Sequence, residues 1–182
     1  LHPDNIDMPF PLVFTGPRSA EHYFNEINQF IVDTLGLEAQ QRYRIIIDDP
    51  KRVAIEMKRG ISSVEEYRLR SGDAYHYNWS LTIDELFQQP FDPTHEHMAD
   101  LQLHRNQDSH TLAAHLRRAF SGVVAGNVKE EGICAIRQHG PFELRGESNI
   151  MAAMDSLLQT FIEQDRMKLP GSTYRQCYHI HR

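Results

Sequence analysis

The sequence predicts an α/β protein in which the end of a parallel sheet is followed by an α+β C-terminal module. Two observations support this fold class. Within the first 58 residues, two short apolar runs alternate with stretches of helical periodicity, as in a βαβα unit. Beyond them, longer helical stretches are mixed with separate short strand patterns, which is typical of an α+β arrangement. We therefore divide the chain into the units 1–58 and 59–182.

The βαβα unit consists of four consecutive segments. The run PLVFTGP at 11–17 is apolar and is closed by Gly and Pro, so it predicts a buried strand of a parallel sheet. Apolar residues recur at intervals of three and four through 18–36, which predicts an amphipathic helix. RYRIIIDD at 42–49 predicts the second strand, and Pro50 begins the second helix. We expect the crossover between the two strands to be right-handed.

The C-terminal unit contains three predicted strands. Aromatic and polar residues alternate at 73–83, and two short strand patterns follow at 141–146 and 173–181. We expect these strands to form one antiparallel sheet that is covered by helices. The predicted helices are a short one that opens at Thr94 and three longer ones at 109–127, 128–140 and 147–168.

The composition is typical of a soluble globular protein with one medium domain. The 182 residues are 40% hydrophobic and 24% charged, and no run reaches the roughly 18 apolar residues that a membrane span needs. The net charge of -6 argues against a broad nucleic-acid-binding surface. Cys134 and Cys177 form no C-x-x-C motif and are expected to be buried structural thiols. We expect a cytoplasmic protein that binds neither membranes nor nucleic acid.

The eleven histidines raise the question of a metal site. His95 and His97 form an H-x-H pair, as do His179 and His181, and residues two apart share one face of a strand. A zinc site needs at least one further ligand, and the sequence identifies none. We therefore predict no metal site and no cofactor.

Three residues are candidates for nucleotide binding. Thr15, Gly16 and Pro17 lie at the carboxyl end of the first predicted strand, just before a helix begins. Ligands of open α/β sheets bind at this edge, and helix N-termini attract anions. The alternative is an ordinary strand-to-helix turn with no ligand.

Basic side chains and a glycine-rich stretch offer further candidates for phosphate contacts. Arg68 with Arg70 and Arg117 with Arg118 form two basic pairs on predicted helices, although solvated faces and ion pairs explain such residues equally well. The stretch AFSGVVAGNVKEEG at 119–132 does not have the glycine spacing of either common phosphate-binding loop. Gly122, Ala125 and Gly126 recur at helical spacing and would let another helix approach closely, so helix packing or a subunit contact is favoured over phosphate binding.

Three segments carry a family resemblance: SGDAYHYNWSLTI, RRAFSGVVAGNVKEEGI and RMKLPGSTY. They resemble the C-terminal region of the bacterial pyrimidine/purine nucleotide 5'-monophosphate nucleosidases. The order of elements in 1–58 resembles the end of the Rossmann domain of the Lonely Guy, or lysine decarboxylase-like, proteins. The resemblance covers essentially the whole chain and implies that its parallel sheet is the end of a Rossmann-like sheet.

This resemblance implies hydrolysis of the N-glycosidic bond of nucleoside monophosphates, giving a free base and ribose 5-phosphate. In that family a Pro-Gly-Gly run, followed by Gly-Thr and a Glu pair, supplies the phosphate-binding amides and the acidic group. No such motif occurs in 1–182, so we assign no catalytic residue to the chain. We expect it to be the C-terminal piece of such an enzyme, beginning just after the catalytic helix.

The resemblance also implies partners. They are a nucleoside monophosphate substrate, other subunits of a homo-oligomer and a guanosine polyphosphate effector. The effector phosphates would contact basic side chains, for which the candidates are Arg68, Arg70, Arg117, Arg118 and Lys129. The alternative is a non-catalytic module for nucleotide or alarmone binding or for oligomerisation.

Overall fold

The computed structural model describes residues 1–73, 81–170 and 173–181. The helices are α1 (Glu21–Leu35), α2 (Leu37–Gln40), α3 (Pro50–Arg70), α4 (Glu85–Gln88), α5 (His95–Ala99), α6 (Ser109–Val128), α7 (Glu130–His139) and α8 (Ser148–Glu163). The strands are β1 (Val13–Gly16), β2 (Arg44–Ile47), β3 (Gln102–Leu103), β4 (Phe142–Gly146) and β5 (Tyr178–His181). The predicted α/β fold is confirmed. The predicted strand at 73–83 lies mostly outside the described residues.

The predicted strands and helices of the N-terminal βαβα unit are present. Strands β1 and β2 pair in parallel, with Thr15 opposite Ile46 and Gly16 opposite Ile47. Helix α1 makes the connection between them, and the Phe24 ring on this helix stacks on Phe14 of β1 at 6.1 Å between centroids. Continuous apolar runs are typical of parallel strands because helices cover them, which explains why this unit could be predicted.

The second sheet corrects the expected antiparallel arrangement. Its order is β3-β4-β5, and both pairings are parallel. The connection from β4 to β5 runs through α8, and the connection from β3 to β4 runs through α6 and α7. Parallel neighbours need a crossover connection of this kind, whereas a tight hairpin joins only antiparallel strands.

The main core lies between this second sheet and its helices. Phe142 and Leu144 of β4 are buried against apolar side chains of α6 and α8, and the sulfur-containing Met98 of α5 fills the same core. Further fully buried members are Leu101, Leu103, Leu112, Ile150, Met151, Met154, Leu158 and Tyr178.

Helix α1 packs against two helices that cover the second sheet. It packs along α8, where the rings of Tyr23 and Phe161 lie 5.1 Å apart, and it meets α6, where Phe30 lies 5.2 Å from Phe120. Helix α3 is continuous across position 58, so the proposed division at 58/59 falls inside a helix. That division remains a prediction.

The glycines at 119–132 lie where other elements pack closely. A Cβ atom at Gly132 would lie 2.4 Å from the backbone oxygen of Ala125, and one at Gly126 would lie 2.9 Å from Sγ of Cys177. A Cβ atom at Gly122 would meet the end of the Met98 side chain at 2.3 Å. These contacts favour the interpretation that the stretch allows close packing of α6 and α7.

The two cysteines differ, which corrects the expectation that both are buried. Cys177 is buried, and its environment raises the pKa of its thiol to about 11, chiefly through desolvation. Cys134 is exposed on α7.

We expect an aromatic disulfide reagent to modify Cys134 rapidly in the folded protein, because thiolate formation and access both limit the reaction at Cys177. Mass mapping of the modified protein measures this, and rapid labelling of Cys177 would contradict it.

Candidate functional site: the carboxyl edge of the β1–β2 pair

The candidate site is an open recess of about 380 Å³ at the carboxyl ends of β1 and β2. The two strands are parallel, so the residues that follow them meet at one edge. The recess contains all three predicted nucleotide-binding residues, together with residues that follow β2. The lining residues are Thr15, Gly16, Pro17, Asp48, Asp49, Pro50 and Val53.

The backbone after β2 makes a sharp turn into α3. Asp48 has a left-handed backbone with φ 56°, and its N–H donates to the carbonyl oxygen of Gly16 at 2.9 Å. Asp49 is the N-cap of α3, where its Oδ1 accepts from the N–H of Arg52 at 2.9 Å. Asp49 therefore has a structural role, whereas the Asp48 side chain is available at the edge.

The charge of this edge decides which chemical groups it can bind. The Asp48 carboxylate lies 3.8 Å from Nε of Arg18, but the two side chains are 57% and 83% exposed, so the pair is weak. A carboxylate accepts hydrogen bonds from hydroxyl groups and repels phosphate. The edge at Asp48 therefore favours ribose hydroxyls over a phosphate group.

Asp48 lines the candidate recess, and the sequence analysis did not name it. Adjacent residues of a strand point to opposite faces, so the spacing of Asp48 and Asp49 predicts no acid/base pair. The available signal was position: Asp48 follows β2 at the point where Thr15 and Gly16 end β1. Gly16 also brings the turn close to α1, because a Cβ atom there would lie 3.1 Å from Ala20 and Phe24.

The basic residues predicted to bind effector phosphates lie on two helices. Arg68 and Arg70 are in the last turn of α3, and Arg68 forms an ion pair with Asp73 through its Nε at 2.6 Å. Within the part of the chain that the structure describes, Nη1 of Arg68 is buried without a hydrogen-bond partner. The guanidinium of Arg68 therefore has capacity for a further acceptor.

Arg117 and Arg118 lie on α6, and Lys129 is the residue that caps its C-terminus. Arg117 is exposed, and the guanidinium of Arg118 lies 5.3 Å from the centre of the Phe91 ring. Lys129 follows the last residue of α6, about 16 Å along the helix axis from Arg118 at 1.5 Å per residue. The structure thus separates Lys129 from the arginine pair, and the role of all these residues remains a prediction.

A second recess adjoins the glycine-rich stretch. It has a volume of about 520 Å³, and two arginines that the sequence analysis did not single out, Arg137 and Arg175, line it together with Gly126 and Asn127. The Asn127 side chain holds this wall in place, since its Oδ1 accepts from the N–H of Arg175 at 3.0 Å. Guanidinium groups at a recess suit anionic ligands.

The H-x-H pairs occupy different kinds of structure. His95 and His97 lie on helix α5, so the argument that they share a strand face does not apply to them. Nε2 of His95 lies 2.8 Å from the carbonyl oxygen of Gly140, and Nδ1 of His97 lies 2.7 Å from that of Asp92. His181, on β5, contacts the carboxylate of Glu143.

None of the described helices is both long and apolar enough to cross a membrane.

Comparison with known proteins identifies the family. Residues 61–181 match the family model described as pyrimidine/purine nucleotide monophosphate nucleosidase, C-terminal. The pyrimidine/purine nucleotide 5'-monophosphate nucleosidases of Escherichia coli strain K12 and of Escherichia coli O157:H7 are each 52% identical over 180 residues, which is 99% of this chain. The chain spans 40% of the length of these relatives. It therefore belongs to the pyrimidine/purine nucleotide monophosphate nucleosidase family and corresponds to the C-terminal part of those proteins.

Proposed function

We propose that this chain is part of a nucleotide 5'-monophosphate nucleosidase that hydrolyses the N-glycosidic bond of purine and pyrimidine nucleoside monophosphates. The products are a free base and ribose 5-phosphate. One observation carries the proposal: the 52% identity over 180 residues with proteins that bear this name. No residue of 1–182 is assigned to the bond-breaking step, because the Gly-rich and Glu motif of the family is absent from this sequence.

In this proposal the β1–β2 edge positions the nucleotide. Thr15, Gly16 and Pro17 contact it from the end of β1, and the carboxylate of Asp48 accepts hydrogen bonds from the ribose hydroxyls. The exposed carboxylate, its place at the carboxyl edge of a parallel pair and the recess in front of it support this role. The chain also completes the sheet to which β1 and β2 belong.

Release of free base from nucleoside monophosphates tests the proposal. The purified intact protein is incubated with purine and pyrimidine monophosphates, and base and ribose 5-phosphate are separated by chromatography. We expect both products in equal amounts. Binding of nucleotides without any release of base would instead favour a non-catalytic nucleotide-binding module.

We expect Asp48→Asn to raise the KM for nucleoside monophosphates about tenfold, which corresponds to the loss of a charged hydrogen bond of about 1.4 kcal/mol. Asparagine tolerates the left-handed backbone at this position, so stability should change little. Asp165→Asn is the matched control, because Asp165 is an exposed aspartate with φ 55° that lies outside the recess. Steady-state kinetics measure both variants, and an equal KM for Asp48→Asn and Asp165→Asn would contradict the ribose contact.

We propose a guanosine polyphosphate as effector of this activity, bound through Arg68, Arg70, Arg117, Arg118 and Lys129. The buried Nη1 of Arg68, which has no hydrogen-bond partner among the described residues, supports a phosphate contact there. Arg68→Gln should weaken effector binding while base release without effector continues. Unchanged effector affinity in this variant, measured by calorimetry, would remove Arg68 from the effector site.

We also propose that the protein is a homo-oligomer of the cytoplasm. Large apolar side chains of α2 and α3 are exposed, among them Leu37 and Leu69 at 63% and Ile55 at 56%. In the described residues the β1–β2 sheet has only two strands, so its edges are open to further strands. These surfaces suit contacts with other parts of the assembled protein.

A further inference from the structure

Three segments that are distant in sequence bring two histidines and an aspartate together. His2 precedes the short 3-10 turn Pro3–Asn5, Asp84 precedes α4, and His110 is in the first turn of α6. One ligand atom from each residue lies within 4.8 Å of the other two. Among residues 1–73, 81–170 and 173–181, no other group of three or more potential metal ligands lies within such distances.

The geometry of this group differs from that of an ordinary ion pair. Nε2 of His110 lies 3.5 Å from Oδ2 of Asp84, beyond a good hydrogen bond. The same Nε2 is buried and has no hydrogen-bond partner among the described residues. Two ligands bound to a tetrahedral zinc ion at about 2.1 Å are separated by about 3.4 Å, which matches the observed distance.

The three side chains are held near one another by other contacts. Asn5 and Thr82 exchange two hydrogen bonds: the Asn5 side-chain amide donates to the Thr82 carbonyl oxygen at 2.6 Å, and the Thr82 N–H donates to Oδ1 of Asn5 at 2.9 Å. This clamp fixes the segment of His2 beside that of Asp84. The His2 and His110 rings meet edge to face with centroids 4.9 Å apart.

The three side chains are partly buried but remain accessible to solvent. The side chains of His2, Asp84 and His110 are 21%, 27% and 17% exposed, and the Phe87 ring lies 5.8 Å from that of His110. Partial burial reduces competition from water, while the remaining exposure leaves an entry path for an ion.

We propose that His2, Asp84 and His110 form a binding site for a divalent transition-metal ion, with Zn²⁺ as the best-suited ion. Two imidazoles and one carboxylate match the ligand preferences of zinc and exclude the all-oxygen sites of Mg²⁺ and Ca²⁺. Three protein ligands leave a fourth position of a tetrahedron for water or an exogenous ligand. The sequence analysis predicted no metal because it considered only histidines two residues apart.

The Asp4 carboxylate lies beside His2 and can serve as its hydrogen-bond partner. Nδ1 of His2 now accepts from the Asp4 N–H at 3.2 Å, and Oδ2 of Asp4 lies 3.8 Å from the same nitrogen. When Nε2 of His2 binds the ion, Nδ1 carries the hydrogen and donates a hydrogen bond to the Asp4 carboxylate, in place of the bond that it accepts from the Asp4 N–H. Ligating histidines commonly have such a carboxylate partner, which fixes the tautomer and the ring orientation.

Metal binding to the intact protein tests the proposal, with Zn²⁺ and Co²⁺ as probes. After treatment with a chelator, the protein should take up one tightly bound Zn²⁺ per chain in competition with a chromophoric chelator. Bound Co²⁺ should show the visible absorption of a low-coordinate site with nitrogen ligands. His110→Gln and Asp84→Asn should each weaken Zn²⁺ binding at least about 100-fold, the upper end of the cost of losing an outer-shell partner.

Controls separate this site from the other histidines. His97→Gln and His181→Gln should bind Zn²⁺ as the parent does, because these residues lie outside the cluster. Melting of each variant without metal establishes that it is folded, and Zn²⁺ should raise the melting temperature of the parent but not that of Asp84→Asn. Equal Zn²⁺ affinity of Asp84→Asn, His110→Gln and the parent, or loss of binding in His181→Gln, would overturn the proposal.

Discussion

Asp155→Ala should lower the free energy of unfolding by about 3 kcal/mol, because hydrogen bonds to a charged group contribute about 1.5–3 kcal/mol each and two are lost. The hydroxyl groups of Tyr174 and Tyr178 each donate to one oxygen of the Asp155 carboxylate, both at 2.5 Å. Tyr178 is only 2% exposed, so its hydroxyl would find no water in exchange. Urea unfolding at neutral pH measures the loss.

The same contacts predict a response to alkaline pH. Burial, and after it the hydrogen bond to Asp155, raises the pKa of both Tyr174 and Tyr178. A pKa raised in the folded state contributes stability that is fully present below the unfolded value of about 10 and is lost as pH rises above it. Asp155→Ala should therefore flatten the fall of stability above pH 10.

Two variants control this prediction. Tyr178→Phe removes one of the two hydrogen bonds and should cost less than Asp155→Ala. Ser156→Ala changes the neighbouring exposed position of α8 and should leave stability nearly unchanged. A loss below about 1 kcal/mol for Asp155→Ala would mean that the two tyrosine hydroxyls find other partners.

Gly132→Ala should destabilise the fold by about 3 kcal/mol, at the upper end of the usual cost of overpacking. The new Cβ atom would lie 2.4 Å from the oxygen and 2.6 Å from the carbonyl carbon of Ala125. Both are backbone atoms, so α6 and α7 must move apart as whole elements. This cost exceeds the gain of about 0.5–1 kcal/mol that alanine brings within a helix.

Gly122→Ala is the matched comparison on α6. Its Cβ atom would also meet a neighbour at 2.3 Å, but that neighbour is the flexible end of the Met98 side chain. Met98 can change rotamer, so we expect less than half the loss found for Gly132→Ala. Equal losses in thermal or urea unfolding would show that the backbone contact between α6 and α7 is not what makes Gly132 necessary.

The predictable part of the fold is the part with strong local patterns. The apolar runs that became β1 and β2 identified a parallel pair, and Thr15 and Gly16 were placed correctly at its carboxyl edge. The direction of β4 and β5 was wrong, because short strands with alternating burial do not reveal whether a helix crosses between them. Strand β3 has two residues, too few to produce any periodicity.

The residues of the two candidate sites that the sequence analysis did not name have one property in common. Asp48 belongs to its recess through the register of two strands, and His110 meets His2 and Asp84 through tertiary packing. Neither relation appears as a spacing along the chain. The glycines of 119–132, by contrast, are visible as a cluster in the sequence, and the structure explains them by close contacts.

The parallel direction of every strand pairing in the described structure has a consequence for how the chain folds. A parallel partner is reached only after an intervening crossover, so none of these pairings can begin as a local hairpin. Closing the loop before each pairing costs conformational entropy before any strand contact forms, and this slows folding. We therefore expect helices such as α6 and α8 to form before β4 and β5 pair.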